Sequence, residues 1–175
     1  MKKILLLSLA SLLATIALAQ TGRPFPTLTG TTLEGQTVTL PTSTKGKFTV
    51  VGVVFSPQAE AALAGWIAPL YTNFIMDPEY DVNLYWVPML SGAKEMAAGA
   101  VEKRLREGLQ KDFHRHVLLY KGSIDTYRQQ LRMDRNDTPY FFVLDKEGKV
   151  IHVASGPFTE DKLTAMDELV DESWD

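Results

Sequence analysis

The chain has 175 residues, 45% hydrophobic and 22% charged, the make-up of one ordinary globular domain with a core of its own and no room for a second. Its formal charge of −3 argues against a nucleic-acid partner, which calls for a basic excess. It contains no cysteine, so thiol redox, thiol peroxidase and disulfide-exchange chemistry, each of which needs a thiolate, are excluded.

Residues 1–19 are expected to be a secretory signal peptide, and residues 20–175 the single mature domain. Lys2 and Lys3 form the positive start, residues 4–18 an apolar run, and Ala17-Leu18-Ala19 a small-x-small processing site before Gln20. The apolar run is short for crossing a bilayer, and no cysteine follows it to carry a lipid. The expected location is periplasmic or extracellular. Disulfides are permitted there, yet this chain must rely on its core alone.

Two short runs, residues 27–31 and 36–40, flank Leu33-Glu34-Gly35 and predict a β-hairpin. Residues 48–55 are an almost continuous β-branched run, the pattern of a central strand buried on both faces. A helix is predicted from Pro57 to about Phe74, because Ala59, Ala62, Leu63, Trp66, Ile67, Leu70 and Phe74 recur at spacings of three and four. Pro57 suits its first turn. Pro69 removes a hydrogen bond in the helix interior, so a kink near Trp66 is expected.

Residues 81–89 read as a second core strand ended by Pro88. Residues 93–113 are amphipathic and fit one or two helices broken at Gly108, with Met96, Ala100, Val101, Leu105, Leu109 and Phe113 close to one face. A short strand at 117–120 and a brief helix at 123–132, capped by Ser123 or Asp125, come next. Thr138-Pro139 then leads into a strand at 140–145, a turn at 146–149 and a return strand at 150–154. A final helix starts at Thr159 and buries Leu163, Met166, Leu169 and Val170. The fold class is therefore α/β: a central mixed sheet flanked by helices, with an N-terminal hairpin and an inserted helical segment.

The order of elements, with Phe25-Pro26, the hairpin through Leu40, Gly46-Lys47 before the central strand, and the run from Thr138-Pro139 through Asp145-Lys146-Glu147-Gly148-Lys149, resembles the thioredoxin-like superfamily, in particular its peroxiredoxin and thiol-disulfide oxidoreductase branch. The resemblance spans about residues 25–170. It implies that the family's redox motif would fall at Ser56, Pro57, Gln58 and Ala59, none of which is a redox group, and that Pro139 corresponds to the cis-proline beside that motif. A narrower set of positions, Trp66-x-x-Pro69-Leu70, the helix from Lys103-Arg104-Leu105 to Phe113-His114-Arg115-His116, and residues 140–156, resembles the mitochondrial ATP synthase assembly factors of the same fold. Those proteins work on an assembling membrane complex without an essential redox pair.

The implied function is a non-redox binding, assembly or chaperone-like module of the cell envelope, with no catalytic residue, no metal and no cofactor. Its partner would be a protein or extended peptide segment, a membrane complex included. The expected contact surface is the former active-site rim, Ser56, Pro57, Gln58, Thr138 and Pro139, with Trp66 behind it. Backbone hydrogen bonds and apolar pockets would take an extended segment there. The alternative is a cysteine-independent enzyme or a histidine-based metal-binding or delivery protein. Ser56 has no Gly-x-Ser-x-Gly elbow around it. His114, His116 and His152 offer at most three nitrogen ligands, the first two on one face of a presumed strand. The basic residues of 94–116 are interleaved with acids and read as a solvated helix face, and the acidic residues near the C-terminus, Asp167 among them, as solvated too.

Overall fold

The structure, a computed structural model, describes residues 21–171. The proposed signal peptide and its processing site lie outside the described residues.

Strands β1 (Leu28–Thr32) and β2 (Thr37–Leu40) form the N-terminal hairpin. They are followed by β3 (Phe48–Val54), helix α1 (Pro57–Tyr71) and β4 (Val82–Leu90). The inserted segment consists of α2 (Ala93–Met96), α3 (Ala98–Gly108) and a 3-10 turn at Lys111–His116. Strand β5 (Leu118–Lys121), helix α4 (Asp125–Gln130), the hairpin of β6 (Tyr140–Leu144) and β7 (Val150–Ser155), and helix α5 (Glu160–Asp171) complete the chain. The seven strands form one mixed sheet in the order β2-β1-β5-β4-β3-β6-β7. β3, β4 and β5 run parallel, and the other pairs are antiparallel.

Every residue of β3 is buried, as its unbroken apolar run predicts, and the period of two along the strand divides its side chains between two cores. Val50 and Val54 face Leu63, Trp66 and Leu70 of α1 and Met166 and Val170 of α5, while Val51 and Val53 face Phe25, Leu28, Leu40, Leu131 and Met133. The neighbouring β6 splits in the same way, Phe141 and Val143 on the first side, Phe142 and Leu144 on the second.

Several local expectations are corrected. Pro88 lies inside β4, opposite Val54, the last residue of β3. The ladder to β3 stops there, so the missing N–H does not end the strand, which continues through Met89 and Leu90 against β5. Pro69 is accommodated within α1, and the change of winding comes after it, in a π-helical turn at Thr72–Met76, rather than near Trp66. Met96 does not share the face of Val101 and Leu105: it is 92% exposed, at the end of the four-residue α2, where the inserted segment divides at residue 97. Asp167 is not simply solvated: its Oδ1 accepts from Asn73 Nδ2 and Tyr80 Oη, both at 2.7 Å, tying α5 to the π-helical turn after α1 and to the loop before β4. Burial and that carboxylate push the Tyr80 pKa upward.

Candidate functional site

The N-terminus of α1 is built by Ser56. Its Oγ accepts from Ala59 N at 3.1 Å, a helix cap, and donates to the carbonyl of Asn136. One hydroxyl thereby joins the start of α1 to the loop that leads to Thr138-Pro139, and the expected rim residues are brought together. Ser56 is half-buried and engaged on both sides, while Pro57 and Gln58 are exposed and Ala59 is buried.

The loop of residues 134–138 is held from below. Tyr140 Oη accepts from Arg135 N at 2.8 Å and its ring stacks beside Phe55 at 6.5 Å. Arg135 grips Asp137 through two bonds of 3.0 Å, and that grip holds the Asp137 carboxyl below its ordinary pKa. Arg128 lies over the Phe55 ring at 5.5 Å, and Lys94 Nζ donates to Phe55 O at 3.0 Å.

Thr138 and Pro139 are buried, so they form the wall behind the rim rather than its face. The correspondence of Pro139 to a cis-proline is corrected: the cis peptide among the described residues is Leu40-Pro41, and Thr138-Pro139 keeps the ordinary trans preference of an X-Pro bond. Pro139 O accepts from Gly156 N at 3.1 Å, and Gly156 O accepts from Trp66 Nε1 at 3.0 Å. Trp66 thus supports the rim through Gly156, as expected of a residue behind it.

The histidines do not converge. His114 and His116 lie in the 3-10 turn at Lys111–His116, not on a strand; with three residues per turn, positions two apart point in different directions. His116 is buried, donates from Nδ1 to Leu84 O at 2.9 Å and accepts from Arg115 Nε at 3.2 Å on Nε2. Its burial pushes the pKa below the ordinary imidazole value, and burial alone does the same to His152 on β7. Among the described residues no group of three or more metal-ligating side chains is found.

A second concavity was not legible as such in the sequence. A cavity of about 310 Å³ lies between α1, β4 and α3, with Leu63, Ile67, Leu105, Leu109, Trp86 and Phe113 in its walls. Glu60 and Arg104, also in the lining, form an ion pair of 3.2 Å. The Trp86 indole N–H is buried with no hydrogen-bond partner, a vacancy that costs about 1–3 kcal/mol. Spacing by four from Val101 through Leu105 and Leu109 to Phe113 is the signal that could have pointed here. The exposed side of α3 does carry the expected local pairs, Arg106–Glu102 at 2.9 Å and Lys103–Glu107 at 3.8 Å.

The family model described as ATP10 protein matches residues 17–172. The chain belongs to the ATP10 family. The resemblance to ATP synthase assembly factors read from Trp66, Pro69 and the Lys103–His116 region is thereby borne out. No curated protein matches the chain significantly. Solved structures similar to this ATP10-family chain share its fold at low identity. The thioredoxin domain of a thiol-disulfide oxidoreductase from Bacteroides vulgatus is 19% identical, with a TM-score of 0.58, covering 87% of this chain and 96% of that one. The exposed lipoprotein thioredoxin of Streptococcus pneumoniae is 16% identical, with a TM-score of 0.56 and coverage of 81% and 98%. BsSco, a member of the Sco family of cytochrome c oxidase assembly proteins, is 12% identical, with a TM-score of 0.58 and coverage of 87% and 95%. The thioredoxin-like fold is established by these likenesses together with the seven-stranded sheet. Among the described residues of this ATP10-family chain, no helix is long and apolar enough to cross a membrane.

Proposed function

We propose that this chain is an exported, non-redox assembly module. Residues 1–19 are removed as a signal peptide, and residues 20–175 act as one domain in the periplasm or outside the cell. The domain holds an extended protein segment of an assembling membrane complex, the ATP synthase membrane sector in the first place, against the rim of Ser56, Pro57, Gln58, Thr138 and Pro139. The observation that carries the reading is the match of nearly the whole chain to the ATP10 family, joined to a cysteine-free α1 N-terminus.

Physically, the rim offers a rigid edge. Ser56 clamps the helix start to the Asn136 loop, the buried Thr138 and Pro139 back it, and Pro57 and Gln58 are free to touch a segment laid across it. Affinity would come from backbone hydrogen bonds and shallow apolar contacts, so capture and release need no covalent step.

The test is the amount of assembled ATP synthase on a native gel in cells that lack this protein and are re-supplied with it. Wild type restores the complex, and Gln58→Arg, an exposed change that leaves the fold intact, reduces recovery at least severalfold. Full recovery by Gln58→Arg moves the contact surface elsewhere, and an unchanged complex in the deleted cells refutes the assembly role.

A further inference from the structure

We propose that the outer edge of β7 is a binding site for an extended, acidic peptide segment, which joins the sheet there as an added strand. β7 is the last strand on its side of the sheet. Gly156 N donates to Pro139 O, and β6 and β7 continue from that pair in the register Tyr140↔Ser155, Phe141↔Ala154, Phe142↔Val153. In an antiparallel ladder, pairs that exchange hydrogen bonds alternate with pairs that do not. His152 and Ala154 therefore bond to β6, while Val153 and Ser155 turn their N–H and C=O groups away from it. Among the described residues no hydrogen bond reaches those groups. Ser155 is exposed and Val153 half-buried, so the edge is open to another main chain.

The fold already uses strand addition at the other end of this edge. Gly22 N donates to Val150 O, Val150 N to Arg23 O and Phe25 N to Gly148 O, with Pro24 opposite Lys149 in the antiparallel sense. That cover stops at Val150, short of Val153 and Ser155. An unpaired edge is a template for a further strand, which added peptides exploit through their main chain. Charge selects the guest. Arg23 and Lys149, both exposed, stand at one end of the open stretch, and Lys162, which donates to Pro157 O at 2.7 Å, stands at the other. None of the three has an ion-pair partner among the described residues. Asp145, in the same turn as Lys149, accepts instead from the backbone N–H groups of Glu147 and Lys149. A guest with carboxylates at its two ends complements these cations. A second copy of this chain, paired edge to edge and antiparallel, would set the Arg23 and Lys149 end of each against the Lys162 end of the other, so charge favours an acidic segment over self-association.

The test titrates the purified protein with the peptide acetyl-Glu-Val-Thr-Val-Glu-amide while the backbone amides are followed by proton–nitrogen NMR and hydrogen exchange. The Val153 and Ser155 amides are expected to exchange freely without peptide, and to shift together and become protected as the peptide saturates. The same peptide with Lys in place of Glu binds at least severalfold more weakly, and a copy N-methylated along its central amides does not bind. Ser155→Pro removes an edge donor without touching the ladder to β6, so it keeps the thermal unfolding of the wild type and loses binding at least severalfold. Lys149→Glu, an exposed change, weakens the acidic peptide and strengthens the basic one. The proposal is overturned if the acidic peptide does not saturate at millimolar concentration, if the responding amides lie elsewhere, or if either variant leaves binding unchanged. Protection of both amides in the free protein would show the edge already covered, by a second copy or another part of the chain, and would overturn it too. No assembly readout is involved and Gln58 is untouched, so these outcomes are independent of the rim.

Discussion

Trp66→Ala is expected to lower the stability of the protein by about 3–5 kcal/mol, a large part of the 5–15 kcal/mol that holds a domain folded. The indole is fully buried, lies 4.1 Å from the Phe141 ring and meets Phe158 edge-on at 5.3 Å. Alanine would empty the space between α1 and β6 and would also strip Gly156 O of its donor. Trp66→Phe separates the two effects: it keeps most of the packing and loses the hydrogen bond, for about 1–3 kcal/mol. Urea unfolding of the three proteins reads both numbers. Because Gly156 N in turn donates to Pro139 O, both variants should also weaken the wall behind the rim. A loss below about 1 kcal/mol for Trp66→Ala would mean that Trp66 does not join α1 to the β6–β7 end of the sheet.

The second large effect is expected at Gly148, in the turn between β6 and β7. Asp145 Oδ1 accepts from Glu147 N at 3.0 Å and from Lys149 N at 2.8 Å, and Gly148 completes the turn at φ +86°. A Cβ there would collide with Pro41, its Cγ only 2.6 Å away and its Cβ nearer still. Gly35, in the first hairpin, has nearly the same φ of +88° and nothing within 4 Å. Gly35→Ala therefore measures the left-handed backbone cost alone, about 1–2 kcal/mol. Gly148→Ala adds the clash with a stiff ring, about 1–3 kcal/mol more. Thermal unfolding should rank the wild type above Gly35→Ala and Gly35→Ala well above Gly148→Ala. Equal losses would show that Pro41 gives way without cost.

What the sequence makes legible follows from period and composition. The unbroken β-branched run at 48–55 has the pattern of a doubly buried strand, and the Leu63, Trp66 and Leu70 stripe that of one helix face. Pro57 was readable as a helix start, but the bond from Ser56 to Asn136, 80 residues away, was not, because nothing local encodes it. Pro88 misled for the same reason: whether a proline ends a strand depends on where the neighbouring strand stops. His114 and His116 share no strand face because the chain tightens into a 3-10 turn just before β5, a change of winding that their spacing does not show. The cavity needed α1, β4, α3 and the turn after it to be placed together, and no single segment of the sequence carries its shape. Thr138 and Pro139 were readable as part of the rim, though not as its buried wall.

That burial decides how the central claim is best tested, since a bulky change at Thr138 would damage the fold along with the contact. The direct measurement places a photo-crosslinking residue at Gln58, exposed on the first turn of α1, in the otherwise intact protein in living cells, with a matched probe at the exposed Met96 on the inserted segment. The account predicts one defined membrane-complex subunit captured from position 58, at far lower yield from position 96, and in a product that survives reducing agent unchanged. Equal capture of that subunit from both positions, or no membrane-complex subunit captured from position 58, would contradict it.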